Sequence, residues 1–212
     1  MKIALLVVAV CILVAGTGVA APRQHTVSFG AWRTASIASD SDLPEQVKVR
    51  DLLVDGRARE HVTGLPHDVT ERIFVVRRAY RLNDSLPADA KKPLWVWRLG
   101  GWISVDRLTG KITQLNLPAF DPDLSEASWY RDYAAYCGTS DDGNKAYLMV
   151  AQLGRRKPVL KKEFSGDSCP APAWERKPSR VTFTNGTEKT SFVVHARSAE
   201  LQIDNGDDEG QP

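Results

Sequence analysis

Cysteine is scarce in this sequence of 212 residues, with three in all, too few for a disulfide-dense miniature scaffold. An excess of one charge is missing too. Lys and Arg number 28 against 26 Asp and Glu, a net charge of +2. That balance argues against nucleic acid as the main partner, since such binders usually present a strong basic excess or stripe, and excludes the strong acidity of wholly disordered chains. Beyond the first twenty-one residues no apolar run approaches the roughly 20 residues a membrane helix needs. Long amphipathic helical patterns are absent, as are a phosphate-cradling Gly-x-x-x-x-Gly-Lys loop, a dinucleotide fingerprint and a His-Glu-x-x-His zinc motif. The rest is an ordinary globular composition, 42% hydrophobic and 25% charged, at a length suited to one domain with a real core.

The chain opens with Met1-Lys2, then thirteen apolar residues from Ile3 to Ala15, then the small-residue stretch Gly16-Thr17-Gly18-Val19-Ala20-Ala21. A positive start, a short apolar centre and a small-residue cut site make residues 1–20 a signal peptide, with the mature protein beginning at or near Ala21. The apolar run is too short for a membrane anchor. Cys11 lies inside it, without the lead-in of a lipoprotein box, and leaves with the peptide. The protein is therefore expected to be secreted or periplasmic, with no transmembrane segment after signal removal. Cys137 and Cys169 remain, and in an oxidising compartment they are expected to pair.

Turn signals between short β-prone runs dominate the mature chain and predict an all-β fold. Its antiparallel hairpins would form a sandwich, a barrel or a partial propeller-like sheet, with at most one short helix. Asp55-Gly56 divides a hairpin over Val47 to Val62, and Asp68 with Glu71 suits one capped helical turn. Ile73 to Leu82 reads as a strand whose two faces both start apolar and become basic. Leu94 to Leu99 is a strand with Trp95, Trp97 and Leu99 on one face, followed by Gly100-Gly101 at a bulge or bend. Trp102 to Leu117 forms a hairpin turning at Gly110. Asp121-Pro122 suits the start of a helix, and Trp129, Tyr133 and Tyr136 fit helical spacing, while Tyr133, Ala135 and Cys137 also fit a strand.

Further on, Ser140 to Asn144 makes a turn into the strand Lys145 to Leu153. Lys157 to Phe164 reads as an edge strand because of Pro158. Residues Ser165 to Pro178 read as an irregular strap, and Asn185-Gly186 as the turn of a last hairpin. One β-rich domain is thus expected over residues 21–198, and a disordered acidic tail over 199–212. Two hairpins, Trp102 to Leu117 with Val-Asp-x-x-Thr-Gly-Lys and Tyr136 to Leu153 with Ser-Asp-Asp-Gly-Asn-Lys, resemble single-blade hairpins of β-propeller repeats. The likeness is confined to these segments, and the fixed-period self-similarity of a closed propeller is missing.

Chemistry leaves few marks. Gly138-Thr-Ser140-Asp-Asp-Gly143 places its second glycine one residue too late for a nucleophile elbow. Ser165-Gly-Asp-Ser168 runs into Cys169-Pro170 instead of the glycines of a serine protease. His61, His67 and Asp68 have the right chemistry for zinc or acid/base work but no supporting spacing. The acidic runs Asp141 to Asn144 and Asp204 to Glu209 lack EF-hand spacing. Arg155, Arg156, Lys157, Lys161 and Lys162 form a basic ribbon that reads as protection of a strand edge. No catalytic residue, metal ligand or cofactor is assigned. The one positive feature is aromatic: Trp95, Trp97 and Trp102 around the paired glycines would either pack a core or present indole to a sugar ring or a protein side chain. The leading expectation is an exported, non-enzymatic protein that binds a protein or glycan partner or supports an envelope, with no nucleic-acid role. The alternative is a secreted hydrolase using His61, His67 and Asp68.

The intact mass of exported protein should match a chain beginning at or near Ala21 and be two hydrogens lighter than its reduced form. Intact Met1 in a membrane fraction, or two titratable thiols in the native protein, would overturn one or other half of this reading.

Overall fold

A computed structural model describes residues 24–37, 45–85, 93–165, 172–196 and 198–202. The expected signal peptide, Cys169 and the last ten residues lie outside these. All regular structure in the described residues is β, and none of it is a helix long and apolar enough to cross a membrane. Asp55 and Gly56, with φ of 52° and 73°, form the two-residue primed turn between β3 (Glu45–Val54) and β4 (Arg57–Asp68). Asp and Gly tolerate the left-handed conformation such a turn needs. The same sheet contains β1 (Val27–Phe29), β2 (Arg33–Ile37), β5 (Ile73–Asn83), β6 (Trp95–Asp106) and β7 (Ile112–Gln114). Its order is β1-β3-β2-β6-β5-β4, with β7 on β6 and a further β3–β4 pairing. The sheet therefore closes on itself, and the parallel bridge Ile37↔Trp97 makes the closure.

Strand β5 is the regular spine. Its partners carry the extra residues: Gly64 to Pro66 of β4 face Val76 alone, and Gly100-Gly101 of β6 face Arg78 alone. The latter is the bulge that the paired glycines predict. A side chain on Gly100 would meet the Arg78 backbone oxygen and Cβ at 3.3 Å, so glycine is needed there for close approach. Along β5, Phe74 and Val76 enter one core with Leu52, Val62, Ile103 and Val105. On its other face, Ala79 packs with Ala35, Val49 and Trp97, while Val75 meets the second sheet.

That second sheet is a four-stranded meander of β8 (Ser128–Tyr130), β9 (Tyr133–Thr139), β10 (Ala146–Gln152) and β11 (Leu160–Phe164). Ala134, Tyr136, Met149 and Ala151 pack against Val75 and Trp102 of the first sheet. The alternate residues Ala135, Leu148 and Val150 pack against Val181, Phe183, Phe192 and Val194. These last belong to a third sheet of β12 (Pro172–Glu175), β13 (Arg180–Asn185), β14 (Glu188–Val194) and β15 (Ala199–Gln202). The architecture is three packed sheets, the middle one buried on both faces.

Several local expectations need correction. The capped turn at Asp68 to Glu71 is a non-helical bend in which the Thr70 hydroxyl accepts from the Ile73 amide at 2.9 Å. The helix expected from Asp121 is replaced by turns and β8. Seven cross-strand partners bind β9 to β10, and burial of both faces outweighs the helical spacing of Trp129, Tyr133 and Tyr136. Within the strap, residues 172–175 form strand β12 by antiparallel pairing with β13, and Trp174 reaches the second sheet with its indole N–H on the Ser128 carbonyl at 3.1 Å. The last hairpin pairs Asn185 with Glu188, so its two loop residues are Gly186 and Thr187 instead of Asn185 and Gly186. Gly186, with φ of 59°, takes the first loop position, where only glycine is comfortable. Residues 199–202, expected to begin the tail, pair with β14 as an edge strand.

Leu148 and Met149 point to opposite faces of the middle sheet and are 2% and 0% exposed. Leu148→Ala and Met149→Ala should each cost about 2–5 kcal/mol in denaturant unfolding. A loss below about 0.5 kcal/mol for either would mean that its face is open to water.

Candidate functional site

The Gly100-Gly101 bulge decides what the tryptophans do. Trp95 and Trp97 lie two residues apart on one face of β6, opposite Asn83 and Arg81 of β5. They sit where β5 ends and β6 begins. The extra residue of the bulge keeps Trp102, opposite Arg77, on the face shared by Trp97, but farther along, against the second sheet. Trp102 is 8% exposed and meets Trp129 edge-on at 5.3 Å. It is a core residue. Trp97 is half-buried, and Trp95 is 53% exposed. The three indoles do not form one platform; two of them form a ledge at the end of the sheet.

Arginine organises that ledge. The Arg81 guanidinium lies 5.4 Å from the Trp95 ring and 5.7 Å from the Trp97 ring, within the range of cation–π attraction. Arg33 lies 5.6 Å from the Trp97 ring on another approach, and His61 meets the same ring edge-on at 5.1 Å. Behind them Asp51 accepts from Arg33 at 2.6 Å and from His61 Nδ1 at 2.7 Å. The short contact to a carboxylate places the imidazole proton on Nδ1. Burial pushes the Asp51 carboxyl up, but the hydrogen bonds from Arg33 and His61 prevail and hold it below its ordinary value.

The sequence did not reveal Asp51. Counting back from the Asp55-Gly56 turn would place it opposite Glu60, a like-charge pair. The structure pairs Leu53 with Ala58 but Leu52 with Glu60, so Arg59 is an extra residue in β4 and Asp51 faces His61. Beyond the pair His61↔Ala79, β4 and β5 part around a cleft of about 300 Å³ lined by Arg59, Glu60, His61, Arg78, Tyr80 and Arg81. Glu60 is paired with Arg78 at 2.8 Å, which leaves the cleft with an excess of positive charge. His61 and Arg81 belong to both the cleft and the ledge, making one continuous surface.

The other sequence candidates lie apart from it. His67 bonds the Arg131 carbonyl through Nε2 at 2.8 Å and stacks on Trp129 at 6.1 Å. Asp68 pairs with Arg107 at 2.6 Å. His61, His67 and Asp68 therefore take separate partners, and no three His, Cys, Asp or Glu among the described residues could hold a metal ion. Within the basic ribbon, Lys161 and Lys162 lie on the edge strand β11, over the rings of Tyr147 and Phe192 at 4.1 and 5.6 Å. Ser165 ends the described part of its motif; Ser168 lies outside.

A carboxyl whose folded pKa is depressed stabilises the fold above its unfolded pKa of about 3.9. That contribution is lost as pH falls through the lower folded value. Asp51→Asn should thus lower stability near neutral pH and flatten the acid limb of a stability–pH curve. An unchanged acid limb would show that the Arg33–Asp51–His61 contacts carry no linkage.

No protein-family model, curated protein or solved structure matches the chain.

Proposed function

We propose that the protein is an exported, non-enzymatic binding module that holds an acidic glycan on the ledge of Trp95 and Trp97 and in the arginine-lined cleft beside it. The placement of Arg81 between the two indoles and the cleft carries this reading. An exposed indole offers a flat apolar face to a sugar ring. Neighbouring guanidinium groups offer paired donors for a carboxylate or sulfate. Trp95 is exposed enough to be reached, while Trp97 and Asp51 fix the ledge from behind.

Export rests on the amino-terminal pattern of residues 1–20. A Cys137–Cys169 bridge belongs to the same proposal. Cys137 is buried on β9 and alternates with Tyr136, so it points toward the third sheet. Cys169 precedes Pro172, the first residue of β12 in that sheet, by three positions. Such a bridge would tie the chain leaving the second sheet to the start of the third.

Heparin oligosaccharide and neutral dextran serve as probes. Trp95→Ala should weaken heparin binding at least tenfold while leaving stability within about 0.5 kcal/mol. Trp102→Ala should instead cost about 3–5 kcal/mol of stability. Binding should also fall with added salt, because the surface is exposed. Equal affinity for dextran, or heparin binding untouched by Trp95→Ala and Arg81→Gln, would refute the proposal.

A further inference from the structure

A cavity of about 490 Å³, separate from the ledge, lies between the segment that follows β7 and the turn that follows β10. Hydrogen bonds fix both of its walls. On one side Leu115 donates its amide to the Trp102 carbonyl at 2.8 Å, and the Pro118 carbonyl accepts from the Tyr136 hydroxyl at 2.7 Å. On the other, the Arg155 amide donates to the Gln152 carbonyl at 3.1 Å. This closes a turn around Gly154, whose φ of 76° glycine adopts without strain. The cavity is thus formed without a ligand and has the size of a small-molecule site.

Its lining combines apolar surface with uncompensated positive charge. Leu115, Leu117 and Leu153 pack against the core of Tyr136 and Met149 yet stay only half-buried, and Pro118 lies beside them in the lining. Arg155 and Arg156 line the same cavity and are exposed. Arg156 pairs with no carboxylate among the described residues. Arg155 reaches only two neutral acceptors, the Gln152 side-chain oxygen at 3.4 Å and the Ala196 carbonyl at 3.5 Å, both long for a hydrogen bond. None of the described lining residues is acidic. The Asp132 carboxylate accepts from Gln152 Nε2 at 2.8 Å and lies outside the lining. In the sequence these arginines read with Lys161 and Lys162 as protection of a strand edge. The two lysines lie on β11, but the arginines lie on the turn before it, where edge protection gives no account of them.

We infer that this cavity binds a free aliphatic carboxylic acid. Its chain would cover the three leucines, and its carboxylate would take the Arg155 and Arg156 donors. A guanidinium offers paired N–H groups that match a carboxylate, and each methylene withdrawn from water favours binding. A small inorganic anion would leave the leucines wet. An uncharged chain would leave both arginines uncompensated, and a cationic one would be repelled. A molecule with an apolar body and one negative end matches the whole lining.

The test is a titration of full-length mature protein, with leucine methyl groups and indole nitrogens labelled for NMR, against octanoate, butanoate, octan-1-ol and octyltrimethylammonium. Octanoate should shift the Leu115, Leu117 and Leu153 methyl resonances and leave the Trp95 indole in place. Butanoate, four methylenes shorter, should bind at least about tenfold more weakly. Octan-1-ol should bind at least about fivefold more weakly than octanoate, and the cationic chain more weakly still. Arg155→Gln combined with Arg156→Gln should lower octanoate affinity at least about fivefold and leave octan-1-ol within about twofold. Should that variant fail to fold, the comparison of octanoate with octan-1-ol in the unaltered protein decides alone. Unmoved leucine methyls at about 10 mM octanoate, enough to fill even a weak site, would overturn the inference. So would equal affinity for octan-1-ol. Co-sedimentation with phosphatidylglycerol vesicles without any response to free octanoate would also overturn it, in favour of a membrane surface. Failure here leaves the glycan reading untouched, since the ledge and its probe are different.

Discussion

A sheet covered on both sides has no face left for polar side chains, and this constraint governs the middle of the molecule. Strands β9 and β10 obey it with different means. In β9 alanines on both faces (Ala134 and Ala135) let the neighbouring sheets approach, while Tyr136 fills the space toward the first sheet. In β10 Leu148 and Val150 serve one neighbour, and Met149 and Ala151 the other. The Tyr136 hydroxyl escapes burial without a partner by donating to the Pro118 carbonyl at 2.7 Å, as a buried phenol must. Ser125 does likewise, its hydroxyl donating to the Cys137 carbonyl at 2.5 Å. Removing apolar volume from either face would loosen a different sheet, so the three layers stand or fall through this hairpin.

The first sheet solves another problem, that of closing with few strands. A sheet must coil strongly to meet its own edge, and bulges supply the coil by putting two residues opposite one. Here the extra residues fall at Arg59, at Gly64 to Pro66 and at Gly100-Gly101, all in the strands flanking β5. Each also redirects side chains: the first brings His61 onto Asp51, the second opens the wall beside Arg77, and the third aligns Trp102 with Trp97. The candidate site is therefore a consequence of closure, beside a break in the pairing of β4 and β5.

This also explains which features were legible in the sequence. Turns with a chemical requirement could be read directly: Asp55-Gly56 and the paired glycines before Trp102 appear where their backbone demands place them. Strand β5 could be read too, because no residue in it is extra and its alternation survives. What could not be read was register. Asp51 opposite His61 depends on one bulged residue in β4, and composition carries no mark of it. The segment from Asp121 was misread for a related reason. Trp129, Tyr133 and Tyr136 satisfy a helical period as well as a strand with a turn at Arg131 and Asp132, and the choice is made by the neighbouring sheets, which a local pattern does not contain. The strap failed likewise, since Trp174 belongs to a strand by pairing with Val181 of β13, a partner that the local pattern does not name.

The arginines on the ledge bear on the charge of any ligand there. Each exposed cation–π contact is worth about 0.5–1 kcal/mol, and Arg81 makes two while Arg33 makes one. A neutral sugar stacking on Trp95 would have to displace part of this, gaining apolar contact at the expense of cation–π attraction already in place. An acidic sugar need not make that exchange. Its charged group can bond the Arg81 donors while the guanidinium stays within cation–π range of both indoles, since Arg can engage a ring and donate at once. Lysine could not do both, because its ammonium group has no flat face. On the proposed reading, a preference for an acidic ligand would follow from the guanidinium geometry and would survive even if the surrounding net charge were neutralised.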